Sequence, residues 1–135
     1  MEIENITNPK QLSPLVLAFL GDAVFELMVR ARLVAKGNAP IGRLHRQSVE
    51  HVCAAAQAEG AHAIQPLLTE EELSIYKRGR NTHNNTPKNA DPVQYRCATG
   101  LESLFGYLHV TEQHARAEEL FEQIWTAISK EQRGD

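Results

Sequence analysis

The chain has 135 residues, a length that fits one domain with a core needing no disulfide or zinc staples. A hydrophobic fraction of 42% and a charged fraction of 23% exclude a disordered or fibrous chain, and no apolar run approaches the roughly 20 residues of a membrane helix. The net charge of −3 argues against a uniformly basic nucleic-acid binder, but net charge ignores clustering.

The first residues, Met1-Glu2-Ile3-Glu4-Asn5, are acidic and polar, unlike a secretory leader. Ser13-Pro14 reads as an N-cap followed by proline at the first helical position, and the helix is expected to run to about Lys36, with Gly37 as its stop. A second helix is expected from Pro40-Ile41 to near Gly60, with Leu44, Val52, Cys53 and Ala56 as its apolar stripe. A short helical piece follows from Ala61 towards Leu68, disturbed by Pro66.

Thr69-Glu70-Glu71-Glu72 fits a capping box, and that helix is expected to end near Arg80. Asn81 to Ala90 is rich in Asn, Thr and Pro and reads as an exposed loop. Asp91-Pro92 starts the next helix, which is expected to reach Val110. Thr111 is expected to cap the last one, which carries Leu120, Phe121, Ile124, Trp125 and Ile128 at helical spacing. The polar tail after Lys130 is expected to fray. Strand signals are weak and no repeat stands out. The expectation is a compact all-α domain spanning 1–135, with its core at about 14–130.

Cys53 and Cys97 form no CxxC pair and read as buried thiols in a reducing cytoplasm. No histidine stands in an HxxxH or HExxH arrangement, so no zinc site is assigned. The acids gather at Glu70-Glu71-Glu72 and around Glu118-Glu119, whereas the segment from Lys77 to Lys88 holds four positive charges and no acid.

Two carboxylates break apolar runs. Asp22 stands within Leu17-Ala18-Phe19-Leu20-Gly21-Asp22-Ala23-Val24-Phe25, and Glu102 within Thr99-Gly100-Leu101-Glu102-Ser103-Leu104-Phe105-Gly106-Tyr107. A charge in a core-like segment needs a partner or a metal. If the two helices pack, the pair can share Mg²⁺, which takes one or two carboxylates, waters and a substrate phosphate. The alternative is a capping or ion-pairing Asp22 and a surface Glu102. Glu26, one turn after Asp22, is either an acceptor for metal-bound water or, more commonly, a partner for Arg30.

The wording around these residues is specific. FLGDAV at 19–24 resembles the signature helix of the ribonuclease III family of double-stranded-RNA endonucleases, and LESLFGY at 101–107 resembles its second conserved helix. RGRN at 78–81, TPKN at 86–89, QYR at 94–96 and Leu44-His45-Arg46 resemble the Mini-III branch, which lacks an appended RNA-binding domain. The resemblance covers nearly the whole chain. It implies a cytoplasmic homodimer of helical domains that cuts both strands of an RNA duplex with Mg²⁺, leaving 5′-phosphates and 3′-hydroxyls. It also implies a role in maturing the ends of 23S ribosomal RNA precursor, with ribosomal proteins as further partners. Asp22 and Glu102 occupy the positions of the essential metal-binding, catalytic acids. Larger family members carry two more acids, where this chain has Ala18 and Thr99; Mini-III members lack them as well.

A-form RNA is gripped mainly through its phosphates and 2′-hydroxyls. Arg78, Arg80, Asn81, Asn84, Asn85 and Lys88 in the basic segment are candidate RNA contacts, as are His45 and Arg46 at the start of the second helix. Leu101, Leu104, Phe105 and Leu108 serve either the core or a subunit interface. The rival reading is a non-catalytic domain of the same family that binds structured or ribosomal RNA.

Overall fold

The computed structural model describes residues 8–82 and 85–132, all of them helical or irregular. A 3₁₀ turn at Pro9–Gln11 precedes α1 (Pro14–Val34), α2 (Ile41–Val52) and α3 (Ala54–Ile64). A second 3₁₀ turn at Gln65–Leu67 leads to α4 (Glu70–Arg80), α5 (Pro92–Val110) and α6 (His114–Gln132). Among the described residues there is no strand, so the chain is all-α as its apolar spacing predicts.

The expected caps are present. The Ser13 side chain accepts from the Val16 amide, Asp91 accepts from the amides of Val93 and Gln94, and Thr69 and Glu72 form a reciprocal capping box. Gly37 has φ +107° just beyond α1, a conformation that disfavours any other residue.

Two boundaries differ from expectation. The predicted 40–60 helix is two helices, because Cys53 leaves the helical region with ψ 158° and caps α3. The break redirects the chain so that α3 packs against α5 and α6. It also turns the Cys53 thiol outward, so Cys53 is exposed rather than buried and Cys97 is only partly covered. Thr111 closes α5 instead of capping α6: its hydroxyl donates to the Tyr107 carbonyl at 2.7 Å, and Glu112 follows at φ 57°. The Gln113 carbonyl then accepts the first bond of α6, from the Ala117 amide. The frayed tail predicted beyond Lys130 falls largely outside the described residues; the α6 backbone continues to Gln132.

α5 is the central element, packed by α1, α3, α4 and α6. From Ala98 to Leu108 every residue is buried except Glu102. Leu101, Leu104, Phe105 and Leu108 are therefore core within one chain. Phe25 of α1 meets Phe105 and Phe121 edge-on at 5.5 and 5.6 Å. The α6 residues Leu120, Phe121, Ile124, Trp125 and Ile128 close this cluster. At its margin, buried Glu72 of α4 is held by Arg116 of α6 through two contacts of 2.9 Å, and these bonds hold its carboxyl below the usual range.

The tightest contact is between α1 and α5. A Cβ on Gly21 would fall 1.6 Å from the Glu102 carbonyl oxygen, and one on Gly106 would fall 2.0 Å from the Leu17 carbonyl oxygen. Two backbones thus touch where neither residue has a side chain. Gly21→Ala is expected to destabilise the protein by about 2–4 kcal/mol, read as a lower urea midpoint at unchanged slope. A midpoint equal to the parent's would show that the crossing has room for a methyl group.

Candidate functional site

The glycine crossing sets the position of the two acids. Asp22 follows Gly21 directly, and the Gly21 backbone lies against Glu102 itself. The two carboxyl groups come together, although they belong to residues eighty positions apart in sequence. Asp22 is exposed rather than buried as its apolar neighbours suggest, and it reaches a half-buried Glu102 from the solvent side. Burial first, and contact with Asp22 second, push the Glu102 carboxyl up from 4.5 to about 8, against the nearby Gln57 side chain, which favours its ionised form. Without a cation Glu102 keeps its proton near neutral pH.

The surroundings keep the set at two acids. Ala18 and Thr99 are buried, and the Thr99 hydroxyl is turned back to the Tyr95 carbonyl at 3.1 Å. Among the described residues no group of three or more His, Cys, Asp or Glu is assembled. Glu26 pairs with Arg30 at 3.2 Å, which answers the alternative posed for it. Next to Glu102, the Ser103 hydroxyl donates to the carbonyls of Pro14 and Thr99, both at 2.9 Å, and ties the start of α1 to α5. Two oxygen donors at the edge of a core suit a hard divalent cation, whose charge offsets both the burial and the neighbouring acid that raise the Glu102 pKa.

The basic residues are distributed over more than one surface. Gly79 packs on Ser103, the neighbour of Glu102, so α4 delivers Arg78 and Arg80 from the side of α5. Arg78 donates to the Lys10 carbonyl at 3.2 Å. Arg80 lies over the Tyr76 ring at 5.7 Å and donates to the Asn81 side chain. Arg80, Asn81, Thr82 and Arg96 line a cavity of about 300 Å³ between α4 and α5. Asn85 and Lys88 are exposed, whereas Asn84 lies outside the described residues. His45 and Arg46 are exposed on α2, and His45 lines a separate cleft with Leu33, Val34 and Ile41. The structure therefore joins Asp22 with Glu102, and Arg80 with Asn81, but does not gather the described candidate RNA contacts into one cluster.

Sequence reasoning passed over Gln57 and Arg96. Gln57 shares a buried stripe with Gly60, Ala61 and Ile64 at helical spacing, so a polar residue on an apolar stripe was the available signal. Arg96 stood within a quoted motif without a role.

The segment that carries the α1–α5 crossing is similar to known proteins. Residues 15–113 match the family described as Ribonuclease III domain. Mini-ribonuclease 3 of Enterococcus faecalis is 50% identical over 114 residues, covering 82% of this chain and 86% of that one. Mini-ribonuclease 3 of Symbiobacterium thermophilum is 43% identical over 130 residues, covering 96% and 98%. A crystal structure of a protein from Fusobacterium nucleatum superposes with a TM-score of 0.80 at 28% identity, covering 86% of this chain and 96% of that one. The chain belongs to the ribonuclease III family, in its Mini-ribonuclease 3 branch.

The forced acid pair has a consequence for stability. Below about pH 4 Glu102 is protonated in folded and unfolded chains alike, and its raised pKa costs nothing. The penalty grows as pH rises from 4.5 and is complete above about 8. Glu102→Gln is therefore expected to stabilise the metal-free protein by on the order of 2 kcal/mol at alkaline pH and to be neutral in acid, as checked by melting curves across pH. Equal melting temperatures at both extremes would contradict a strained pair.

Proposed function

We propose that this ribonuclease III family member is a Mg²⁺-dependent endoribonuclease that cleaves double-stranded RNA, with the 23S ribosomal RNA precursor as its substrate in the cytoplasm. The observation that carries the reading is the convergence of Asp22 and Glu102. Their oxygens are the donors we assign to the ion. When bound, Mg²⁺ supplies positive charge for the scissile phosphate and acidifies a water molecule. Hydrolysis adds water across the P–O3′ bond and leaves a 5′-phosphate and a 3′-hydroxyl.

The chain's own task is to bind and orient the duplex. Exposed Arg78 and Lys88 and half-buried Arg80 have the charge to meet backbone phosphates, and exposed Asn81 and Asn85 the amides to meet sugar or phosphate oxygens. His45 and Arg46 would meet a second part of the duplex, in keeping with their separate location on α2. Such contacts recognise A-form shape rather than base sequence. The cavity lined by Arg80 and Arg96 supports this reading, because among the described residues neither guanidinium pairs with a carboxylate.

Cutting both strands calls for two sites, and we infer a homodimer. Support comes from the outer face of α1, where Val16, Phe19, Leu27 and Val34 recur at helical spacing and Phe19 is 85% exposed. Ile41, at the start of α2, extends this apolar surface. A monomer leaves such a stripe in water, whereas a two-fold contact between copies of α1 covers it and carries each Asp22 along. Ribosomal proteins that present the precursor are further candidate partners.

Incubating duplex RNA with the protein and Mg²⁺ tests the chemistry. Cleavage is expected for the parent and for Glu26→Gln, with a loss of at least about a hundredfold in Asp22→Asn. RNA that is retarded in a gel but never cut would favour the non-catalytic binder, and mapping precursor ends in cells lacking the protein tests the assignment to 23S RNA. For the assembly, Phe19→Asp is expected to give a folded monomer in analytical ultracentrifugation with double-strand cutting abolished. A Phe19→Asp dimer would remove α1 from the interface.

A further inference from the structure

Gln57 stands in the first turn of α3, where the chain restarts after the Cys53 break, and it is only 3% exposed. Its Nε2 donates to the Val52 carbonyl at 2.9 Å, and the side chain lies near the Glu102 carboxyl group. The amide orientation is determined by the bond to Val52. Exchanging the oxygen and nitrogen would set Oε1 against the Val52 carbonyl, acceptor against acceptor. One hydrogen of Nε2 is thus committed to the helix break, and the other is free to face the acid.

The other atom of the amide is left over. Gln57 Oε1 is buried and has no hydrogen-bond partner among the described residues. An idle buried acceptor costs about 1–3 kcal/mol, and an apolar side chain of similar length would fill the same stripe without that cost. Oε1 belongs to the same amide that lies near Glu102, so a donor bound at the acid pair is within its reach. The donor it lacks is an O–H or N–H arriving at that pair. A water held by a divalent cation supplies a strongly polarised O–H there.

We propose that Gln57 is a positioning residue for the cation site: its Nε2 fixes the Glu102 carboxylate, and its Oε1 accepts a hydrogen bond from a water in the cation's shell. The inference rests on the proposed metal role of Asp22 and Glu102. It gives the α2–α3 break a second use, because the bond that satisfies Val52 also locks the side chain that orients Glu102. Partners of this outer kind typically change metal affinity by about 10–100-fold.

The test is Mn²⁺ titration of the RNA-free protein followed by electron paramagnetic resonance, using parent, Asp22→Asn, Gln57→Leu and Gln57→Met. The methionine variant keeps the side-chain length in case leucine packs poorly. Expected is tight binding by the parent, loss in Asp22→Asn, and weakening of about 10–100-fold in the folded Gln57 variants. The kinetic counterpart is an unchanged KM for duplex RNA, with a reduced kcat that recovers as Mg²⁺ is raised. A purely structural role would not produce that recovery. A folded Gln57 variant that binds Mn²⁺ within about twofold of the parent, while Asp22→Asn does not bind, overturns the role of Gln57 alone. Parent and Asp22→Asn binding Mn²⁺ equally would overturn the metal site and, with it, this inference.

Discussion

Gly21 and Gly106 let the backbones of α1 and α5 touch, and the geometry of the rest of the site follows from that contact. A methyl group at either position would collide with a main-chain carbonyl rather than with a side chain able to move aside. Because the helices cross at this point, the residue after Gly21 is set beside Glu102. The crossing also brings Phe25, one turn further on, into the cluster formed with Phe105 and Phe121. One close approach thus serves the core and the acid pair together.

The acid pair is unfavourable on its own, and the fold tolerates it because stabilising interactions lie elsewhere. Glu72 is buried, yet it accepts from Nε and one Nη of Arg116 and from the Thr69 amide, and its carboxyl is held below the usual range. Glu102 is desolvated by burial and faces a second acid, and its carboxyl is driven the other way. The contrast separates a carboxylate used for stability from one kept short of partners. A site short of positive charge is suited to receive a cation. In the proposed assembly, the apolar outer face of α1 would bring a second such site into the same particle.

Much of this was legible in the sequence, for definite physical reasons. Ser13-Pro14, Thr69 with Glu72, and Asp91-Pro92 are local chemical signals, and they marked helix starts that the structure retains. The break at Cys53 carries no proline or glycine, because it is imposed by the packing of α3 on α5 and α6 and no local residue announces it. Thr111 misled because a threonine before a helix reads as a cap, whereas here its hydroxyl bonds back to the carbonyls of α5. Asp22 and Glu102 stood out as charges in apolar runs. Gln57 gave the same kind of signal more quietly, as an uncharged polar residue among alanines. Whether Arg80 shares a cavity with Arg96 depends on how α4 lies on α5, which is a tertiary fact that spacing along the chain does not encode.

The central claim is that Asp22 and Glu102 hold one divalent cation between them. Anomalous diffraction from crystals soaked in Mn²⁺ tests it most directly. The account predicts a peak within bonding distance of a carboxylate oxygen from each of the two residues. Crystals that show no density between them, at a Mn²⁺ concentration sufficient for RNA cleavage in solution, would contradict it.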